Sequence, residues 1–242
     1  MAENLTPHLS ALGLRMIACQ MLTLRNVAAG EEPYVYSSGN KGPGYLMVKG
    51  LVSQRVLLKA LCFELALKVR DIFPDVDYVA GNATGGMIPA WVLAEALSDV
   101  LGREVPYFYV RGTRKEGGLG EQITGDKQNS AFFIPGRKGL VLEELVNYAE
   151  TTSNSAVVQR DAGYEVKHAA TLVFYDHANA NVKLFQNGLK LCYLYTVEQL
   201  LSLAEQTFER QVVEDYRHFL KDPTGWHKTH GIEPVKKKEL VS

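Results

Sequence analysis

Apolar positions along the chain follow two patterns, a spacing of three or four residues and short unbroken runs. The spaced pattern is typical of amphipathic helices, and the unbroken runs between turn-forming residues are typical of buried strands. Helices are predicted at residues 6–26, 54–73, 86–101, 178–187 and 196–220, and around 157–162. Strands are predicted at 76–80, 106–110, 139–142, 169–175 and 191–195. This alternation predicts an α/β fold, a mostly parallel sheet with helices on both faces.

The N-terminal part adds a smaller feature to this pattern. Two short strands, 34–36 and 45–48, flank the turn-forming segment 37–44, which predicts a hairpin. We expect a single domain over residues 1–220, in which the first helix and the hairpin form a small hood at about 1–50. A polar tail is expected at 221–242. Trp226 and His227 lie within it, and we expect them in a loosely packed segment.

Composition excludes several classes of function. The formal net charge is −1, so no global field attracts nucleic acid or an anionic membrane. Three widely spaced cysteines form neither a disulfide framework nor a zinc pattern. No apolar stretch approaches the roughly 18 residues of a membrane span, and no secretory pattern opens the sequence. We therefore expect a cytoplasmic protein without a nucleic-acid or membrane partner.

Chemistry is expected at the carboxyl ends of the predicted parallel strands, where open α/β sheets bind ligands. The first such segment, 81–86, reads Gly-Asn-Ala-Thr-Gly-Gly and leads into a helix. Glycines allow close backbone approach, and N–H groups at a helix start favour anions. An ordinary strand-to-helix turn is the alternative. The second segment, 111–125, is rich in glycine and carries cations, as in a mobile lid over an anionic substrate or in a solvated surface loop.

The third segment, 140–155, ends an apolar strand with two adjacent carboxylates, Glu143 and Glu144. Paired acids at this position can hold a ribose diol or a magnesium ion. Thr, Ser and Asn residues follow just before a helix, where hydroxyl groups can hold a phosphate. Solvent-facing acids and an ordinary helix cap are the alternative.

Together these segments resemble the orotate phosphoribosyltransferase family, which has the type I phosphoribosyltransferase fold. The resemblance runs from about Leu12 to Leu201, with the segments in the family's order. Segment 37–45 resembles the family's Lys-Ser-Gly-Arg-Lys-Ser-Pro-Tyr hairpin, and 81–86 its pyrophosphate-binding loop. Segment 111–125 matches the lid pattern Arg-Lys-x-x-Lys-x-His-Gly without a gap. Segment 140–151 resembles the strand and loop that bind phosphoribosyl pyrophosphate (PRPP).

The resemblance implies transfer of a phosphoribosyl group from PRPP to a pyrimidine-type base, in nucleotide biosynthesis or salvage. Mg²⁺ would arrive with PRPP, close to Glu143 and Glu144 and without direct protein ligands of its own. A homodimer is also implied, in which the lid reaches the neighbouring subunit's site. Matched to the family's motifs, the catalytic candidates are Lys115, Arg111, Glu143 and Glu144, with Lys115 the key cation and the acids holding the ribose hydroxyls. The substrate-binding candidates are Lys41, Asn82, Ala83, Thr84, Gly85, Asn147, Thr151, Thr152 and Ser153.

The sequence departs from the family pattern in ways that affect the expected chemistry. Ser37, Asn40, Gly112 and Gly117 replace polar or cationic residues of the hairpin and lid, and His177 stands where an Arg is usual. The phosphate loop reads Asn-Tyr-Ala-Glu at 147–150, without its glycines. A Glu about 4 Å from a phosphate costs on the order of 1–4 kcal/mol.

Two interpretations of this loop remain open. Thr151, Thr152, Ser153 and Ser155 would form a displaced phosphate cup, or Glu150 itself would occupy the anion site at the helix start. The corresponding functions are a phosphoribosyltransferase with an altered loop, and a non-catalytic homologue that binds a nucleotide or a regulatory partner.

Overall fold

The computed structural model describes residues 5–112 and 121–233. The helices are α1 Pro7–Ala18, α2 Arg55–Ile72, α3 Met87–Leu101, α4 Glu150–Asp161, α5 Ala178–Gln186, α6 Val197–Ala204, α7 Arg210–Lys221 and α8 Pro223–Thr229. The strands are β1 Leu22–Leu24, β2 Tyr34–Val35, β3 Lys41–Gly42, β4 Gly44–Leu46, β5 Tyr78–Asn82, β6 Tyr107–Val110, β7 Ile123–Thr124, β8 Lys138–Val146, β9 Glu165–Phe174 and β10 Lys190–Thr196. Short 3₁₀ turns lie at Val27–Ala29, Val48–Ser53 and Lys127–Asn129.

The chain divides into two compact units. The sheet unit is Val48–Val197, and the composite unit combines the described residues of Met1–Met47 with those of Glu198–Ser242. The expected single domain over 1–220 remains a prediction. No helix in the described part of the chain is long and apolar enough to cross a membrane.

A six-stranded sheet forms the centre of the sheet unit, in the order β10-β9-β8-β5-β6-β7. Neighbouring strands are parallel except β6 and β7, which pair antiparallel. All five residues of β5 are buried, as a strand covered on both faces requires. Tyr78 and Ala80 pack into a core with Ala156 of α4, whereas Gly81 faces Ala90 of α3. The predicted α/β class with helices on both faces is confirmed.

The predicted first helix is too long. It ends at Ala18, because Gln20 takes a left-handed φ of 60° and the chain turns into β1. Strand β1 pairs antiparallel with β4. Leu22 is therefore buried as part of a strand, not of a helix. The predicted hairpin, in which 34–36 pairs with 45–48, is also wrong in its pairing. Strand β2 pairs with β3, and β4 pairs with β1.

The loosely packed tail is not what the structure shows for residues up to 233. Asp222 accepts a hydrogen bond from the Gly225 N–H, and Pro223 starts helix α8. Trp226 is fully buried, and its Nε1–H donates to Asp215 at 2.9 Å. Burial of this large ring is the reason that the segment packs on α7.

Candidate functional site

The loop between β5 and α3 lies at the carboxyl edge of the sheet. Its shape is fixed by backbone hydrogen bonds, from Ala83 N–H to the Val110 carbonyl at 2.8 Å and from Gly86 N–H to the Asn82 carbonyl at 2.9 Å. The first contact joins the loop to the end of β6, immediately before Arg111. The predicted glycine-rich loop and the base of the predicted lid are therefore neighbours.

Two glycines of this loop have no room for a side chain. A Cβ on Gly85 would overlap the carboxylate of Glu144, and one on Gly86 would lie 2.6 Å from the Leu142 carbonyl oxygen. The loop therefore packs directly on residues 142–144 of β8. Gly86 allows the close approach of two backbones and Gly85 leaves room for the Glu144 side chain; neither has a left-handed φ.

The two acidic residues point to opposite sides of β8. The strand continues to Val146, beyond its predicted end at 142, so both acids lie within it and adjacent side chains alternate between faces. Glu143 faces α4 and accepts a hydrogen bond from the Thr152 hydroxyl. Glu144 faces the start of α3, with its carboxylate over Gly85. The acids flank the edge of the sheet rather than forming a side-by-side pair.

Burial makes the carboxyl group of Glu143 an unusually weak acid. It raises the pKa of the carboxyl group to about 7; the Thr152 hydrogen bond opposes this rise, and repulsion from Glu144 adds to it. The pKa of Glu144 is also raised by burial, while the ammonium group of Lys49 acts in the opposite direction. At neutral pH Glu143 is therefore close to its midpoint between the neutral and the ionised form.

Several buried polar atoms around the acids have no hydrogen-bond partner in the described structure. They are Nδ2 and Oδ1 of Asn82 and Oγ of Ser153, in side chains 4% and 1% exposed. The Asn82 amide is close enough to Glu143 to lower the pKa of its carboxyl group, although no hydrogen bond of standard geometry joins them. Unpartnered buried polar groups are costly, so their presence at this edge suits a site completed by a polar ligand.

The segment that replaces the phosphate-loop glycines is held by contacts with the start of α5. Ala149 adopts a left-handed φ of 59° and precedes α4. The ring of Tyr148 stacks on His177 at 5.1 Å, and Tyr175 also stacks on His177, at 5.4 Å. Burial lowers the pKa of His177, so its imidazole is mainly neutral at pH 7.

The carboxylate of Glu150 does not fold back over the start of its own helix. It pairs with the ammonium group of Lys183 at 2.7 Å, and its side chain is 63% exposed. The structure thus does not have the geometry expected if Glu150 occupied the anion site. Two hydroxyl groups of the expected phosphate cup have partners within the protein. The Thr152 hydroxyl donates a hydrogen bond to Glu143, and the Ser155 hydroxyl accepts one from the Gln159 amide. Thr151 is exposed at the start of the helix. A cup formed by all of these hydroxyls therefore remains a prediction.

The predicted cations are distributed differently. Arg111 is partly buried, and its guanidinium donates to the Tyr109 hydroxyl at 3.1 Å. Lys115 lies outside the described residues. Lys41 belongs to strand β3 of the composite unit, and its carbonyl accepts a hydrogen bond from His227.

Comparison with known proteins identifies the family. No family model matches the chain. It is 31% identical over 219 residues to the orotate phosphoribosyltransferase of Listeria monocytogenes serotype 4b, covering 88% of this chain and 98% of that protein. The chain belongs to the orotate phosphoribosyltransferase family. An orotate phosphoribosyltransferase of Agrobacterium fabrum is 32% identical over 206 residues, covering 83% of this chain and 84% of that protein.

A solved structure supports the fold of this family member. The crystal structure of orotate phosphoribosyltransferase from Aeropyrum pernix matches with a TM-score of 0.64 at 24% identity, over 81% of this chain and 99% of that one. At this identity the match shows the fold alone. The expected type I phosphoribosyltransferase fold is confirmed.

Sequence reasoning missed two cations of this orotate phosphoribosyltransferase family member. Lys49 lies in the 3₁₀ turn before α2 and acts on Glu144, and Lys183 pairs with Glu150 from α5. Lys183 alone had a sequence clue, since Glu150 is an acid placed where an anion is expected and therefore calls for a nearby cation. Nothing in the sequence near Lys49 connects it with residues almost a hundred positions later.

Proposed function

We propose that this chain transfers a phosphoribosyl group from PRPP to orotate or a related pyrimidine-type base, in nucleotide biosynthesis or salvage. The supporting observation is a polar cluster in a chain of this family: Asn82 at the end of β5, Glu143 near the end of β8 and Thr152 in α4. Family membership alone supports the reaction class. The cluster adds buried groups that suit a ribose and its phosphates.

The proposed reaction forms a bond from a ring nitrogen of the base to the ribose C1 and breaks the bond from C1 to pyrophosphate. Positive charge develops on the ribose while negative charge leaves on pyrophosphate, so fixed charges lower the barrier. Ionised Glu143 and Glu144 would accept hydrogen bonds from the ribose hydroxyls and favour the positive ribose. The loop from Asn82 to Gly85 would bind pyrophosphate through its backbone, and Arg111 and Lys115 would neutralise it.

Magnesium fits this proposal as a companion of PRPP. Among the described residues, no group of three or more His, Cys, Asp or Glu side chains could hold a metal ion. Mg²⁺ is commonly bound by one or two carboxylates together with substrate phosphates. The ion carried by PRPP would lie close to Glu143 and Glu144 without being ligated by them directly, and it would screen charge on the leaving pyrophosphate.

A homodimer in the cytoplasm is the proposed working form, with the lid of residues 111–125 reaching the neighbouring subunit's site. Apolar side chains exposed at the starts of α2 and α3 support it: Val56 at 68%, Ile88 at 45% and Trp91 at 57%. Sedimentation should give a dimer mass for the wild type and a monomer for Trp91→Glu. A wild-type monomer would refute this part of the proposal.

Calorimetry with Mg²⁺ and PRPP, followed by assay of pyrophosphate release, tests the reaction. Orotate, uracil and purine bases should be compared as acceptors, with Glu104→Gln as an exposed control for Glu143→Gln. We expect the control to retain activity and Glu143→Gln to lose it. No PRPP binding at millimolar concentration would refute the proposal.

The pH dependence gives a second test. Ionised Glu143 carries the negative charge that favours the positive ribose, whereas protonation removes this charge and turns one of its oxygens into a donor. Its pKa is about 7 in the folded protein. We expect kcat/KM for PRPP to fall roughly tenfold per unit as the pH drops below this value. A flat profile from pH 5.5 to 8 would contradict this role.

A further inference from the structure

A buried histidine of α8 joins the C-terminal helices to the hairpin of β2 and β3. His227 is 4% exposed, and its Nε2 lies 2.7 Å from the carbonyl oxygen of Lys41. A carbonyl oxygen only accepts, so Nε2 carries the proton. The preceding carbonyl, of Asn40, accepts from the Tyr36 N–H inside the hairpin. Successive carbonyl groups point to opposite sides of a strand. The Lys41 carbonyl therefore points away from β2, and His227 donates a hydrogen bond to it.

Aromatic packing fixes the hairpin and the imidazole together. Phe219 of α7 lies 5.8 Å from the Tyr36 ring and 6.0 Å from the His227 ring, measured between centroids. Gly42 leaves no space in this packing, because a Cβ there would lie 2.8 Å from Phe219 Cζ. The hairpin is therefore seated closely on α7 and α8 at the residue next to Lys41.

The anchoring helix is itself firmly held. Asp215 of α7 accepts from Trp226 Nε1–H at 2.9 Å and contacts His230 Nε2 at 3.0 Å. These contacts lie on either side of His227 in the sequence. Strands β2 and β3 have two residues each, and so short a hairpin is marginal without support from other elements.

We infer that His227 is a positioning residue for the reaction: through the carbonyl of Lys41 it fixes the hairpin, and so the affinity for the base. The inference rests on the proposed function and on one further premise: that Lys41, a substrate-binding candidate from the family resemblance, contacts the base. His227 does not touch the substrate in this scheme. Its effect is confined to the base, because the residues proposed to hold PRPP belong to the sheet unit.

Two substitutions separate the hydrogen bond from the volume of the side chain. His227→Leu removes the donor, whereas His227→Gln places an amide N–H at the position of Nε2. We expect the leucine variant to raise KM for the base about tenfold, the size of one lost hydrogen bond to a buried acceptor, with KM for PRPP unchanged. The glutamine variant should restore KM for the base. His227→Asn, with its amide one bond short, should behave like leucine if the leucine variant does not accumulate.

His230→Leu is the matched control, because His230 is the C-cap of the same helix and the variant loses a contact with Asp215 instead of Lys41. It should lower the melting temperature without changing KM for the base. Hydrogen–deuterium exchange of the peptide 34–46, without substrates, supplies a readout independent of activity. Exchange should rise in the leucine and asparagine variants and stay near wild type in the glutamine variant.

The outcomes distinguish the positioning role of His227 from the proposed function. Unchanged exchange in His227→Leu, or an equal rise in KM for base and PRPP, would overturn the positioning role. Raised exchange with unchanged KM for the base would also overturn it. If the wild type forms no nucleotide from any base while exchange responds as expected, the proposed function fails and the structural role of His227 stands.

Discussion

Replacement of Glu143 by glutamine should stabilise the fold while abolishing the proposed activity. The pKa of Glu143 is raised to about 7 by burial, against about 4.3 for an unperturbed glutamate. The folded protein therefore binds this proton more tightly than the unfolded chain does. Stability from this group is fully present below pH 4, falls as the pH rises, and is lost above pH 7. At about 1.4 kcal/mol per pH unit, the loss is on the order of 4 kcal/mol.

Glutamine has nearly the same shape and cannot ionise. It can still accept the hydrogen bond from the Thr152 hydroxyl, which now goes to Glu143. We therefore expect Glu143→Gln to be more stable than wild type by about 3–4 kcal/mol at pH 8.5, but by only about 1 kcal/mol at pH 5. Urea unfolding followed by circular dichroism at both pH values measures the difference.

Glu104→Gln serves as the control, since Glu104 is exposed in the loop before β6. Its free energy of unfolding should change little, and equally at both pH values. A gain in Glu143→Gln that is the same at pH 5 and pH 8.5, or no gain at all, would refute the burial argument. The stabilised variant should also lose pyrophosphate release, as expected where a site is kept charged at the expense of stability.

Two further predictions concern the loops around the acids. Gly85→Ala should abolish activity with little loss of stability, because the new Cβ displaces only the flexible end of Glu144. Gly86→Ala should lower the free energy of unfolding by about 1–3 kcal/mol, because its Cβ would lie 2.6 Å from a backbone carbonyl oxygen. Equal melting temperatures for the two variants would contradict this. Lys183→Ala leaves the charge of Glu150 unneutralised and should weaken PRPP binding up to about tenfold by calorimetry. The loss should vanish in a Glu150→Gln background, and an equal loss in both backgrounds would mean that Lys183 contacts substrate itself.

The sheet and its edge were predictable because their patterns are local. Unbroken apolar runs identified β5 and β8, and the residues that follow each run lie at one edge of a parallel sheet by geometry alone. The ends of elements were less predictable. The spacing of apolar residues does not change at Ala18, and only the left-handed backbone of Gln20 and the pairing with β4 end the helix there.

The long-range contacts of the site could not be read from the sequence. Tyr148 and His177 each stood out as departures from a family pattern, but no local pattern indicates that their rings stack. Likewise, two adjacent acids suggested a side-by-side pair, whereas strand geometry sends Glu143 and Glu144 to opposite faces of β8. Burial of Trp226 depends on packing against α7, and its polar sequence surroundings suggest a free tail instead.

The composite unit constrains the order in which this protein can be completed during synthesis. Its first segment leaves the ribosome before the sheet unit, yet the rings that contact Tyr36 and pack on Gly42 and Gly44 come from α7. At roughly 5–20 residues per second, the hairpin waits on the order of ten seconds for these partners. Meanwhile the sheet unit is already whole. A nascent chain arrested before α7 should therefore contain a protease-resistant sheet unit with a digestible N-terminal segment, and release of the last helices should protect both.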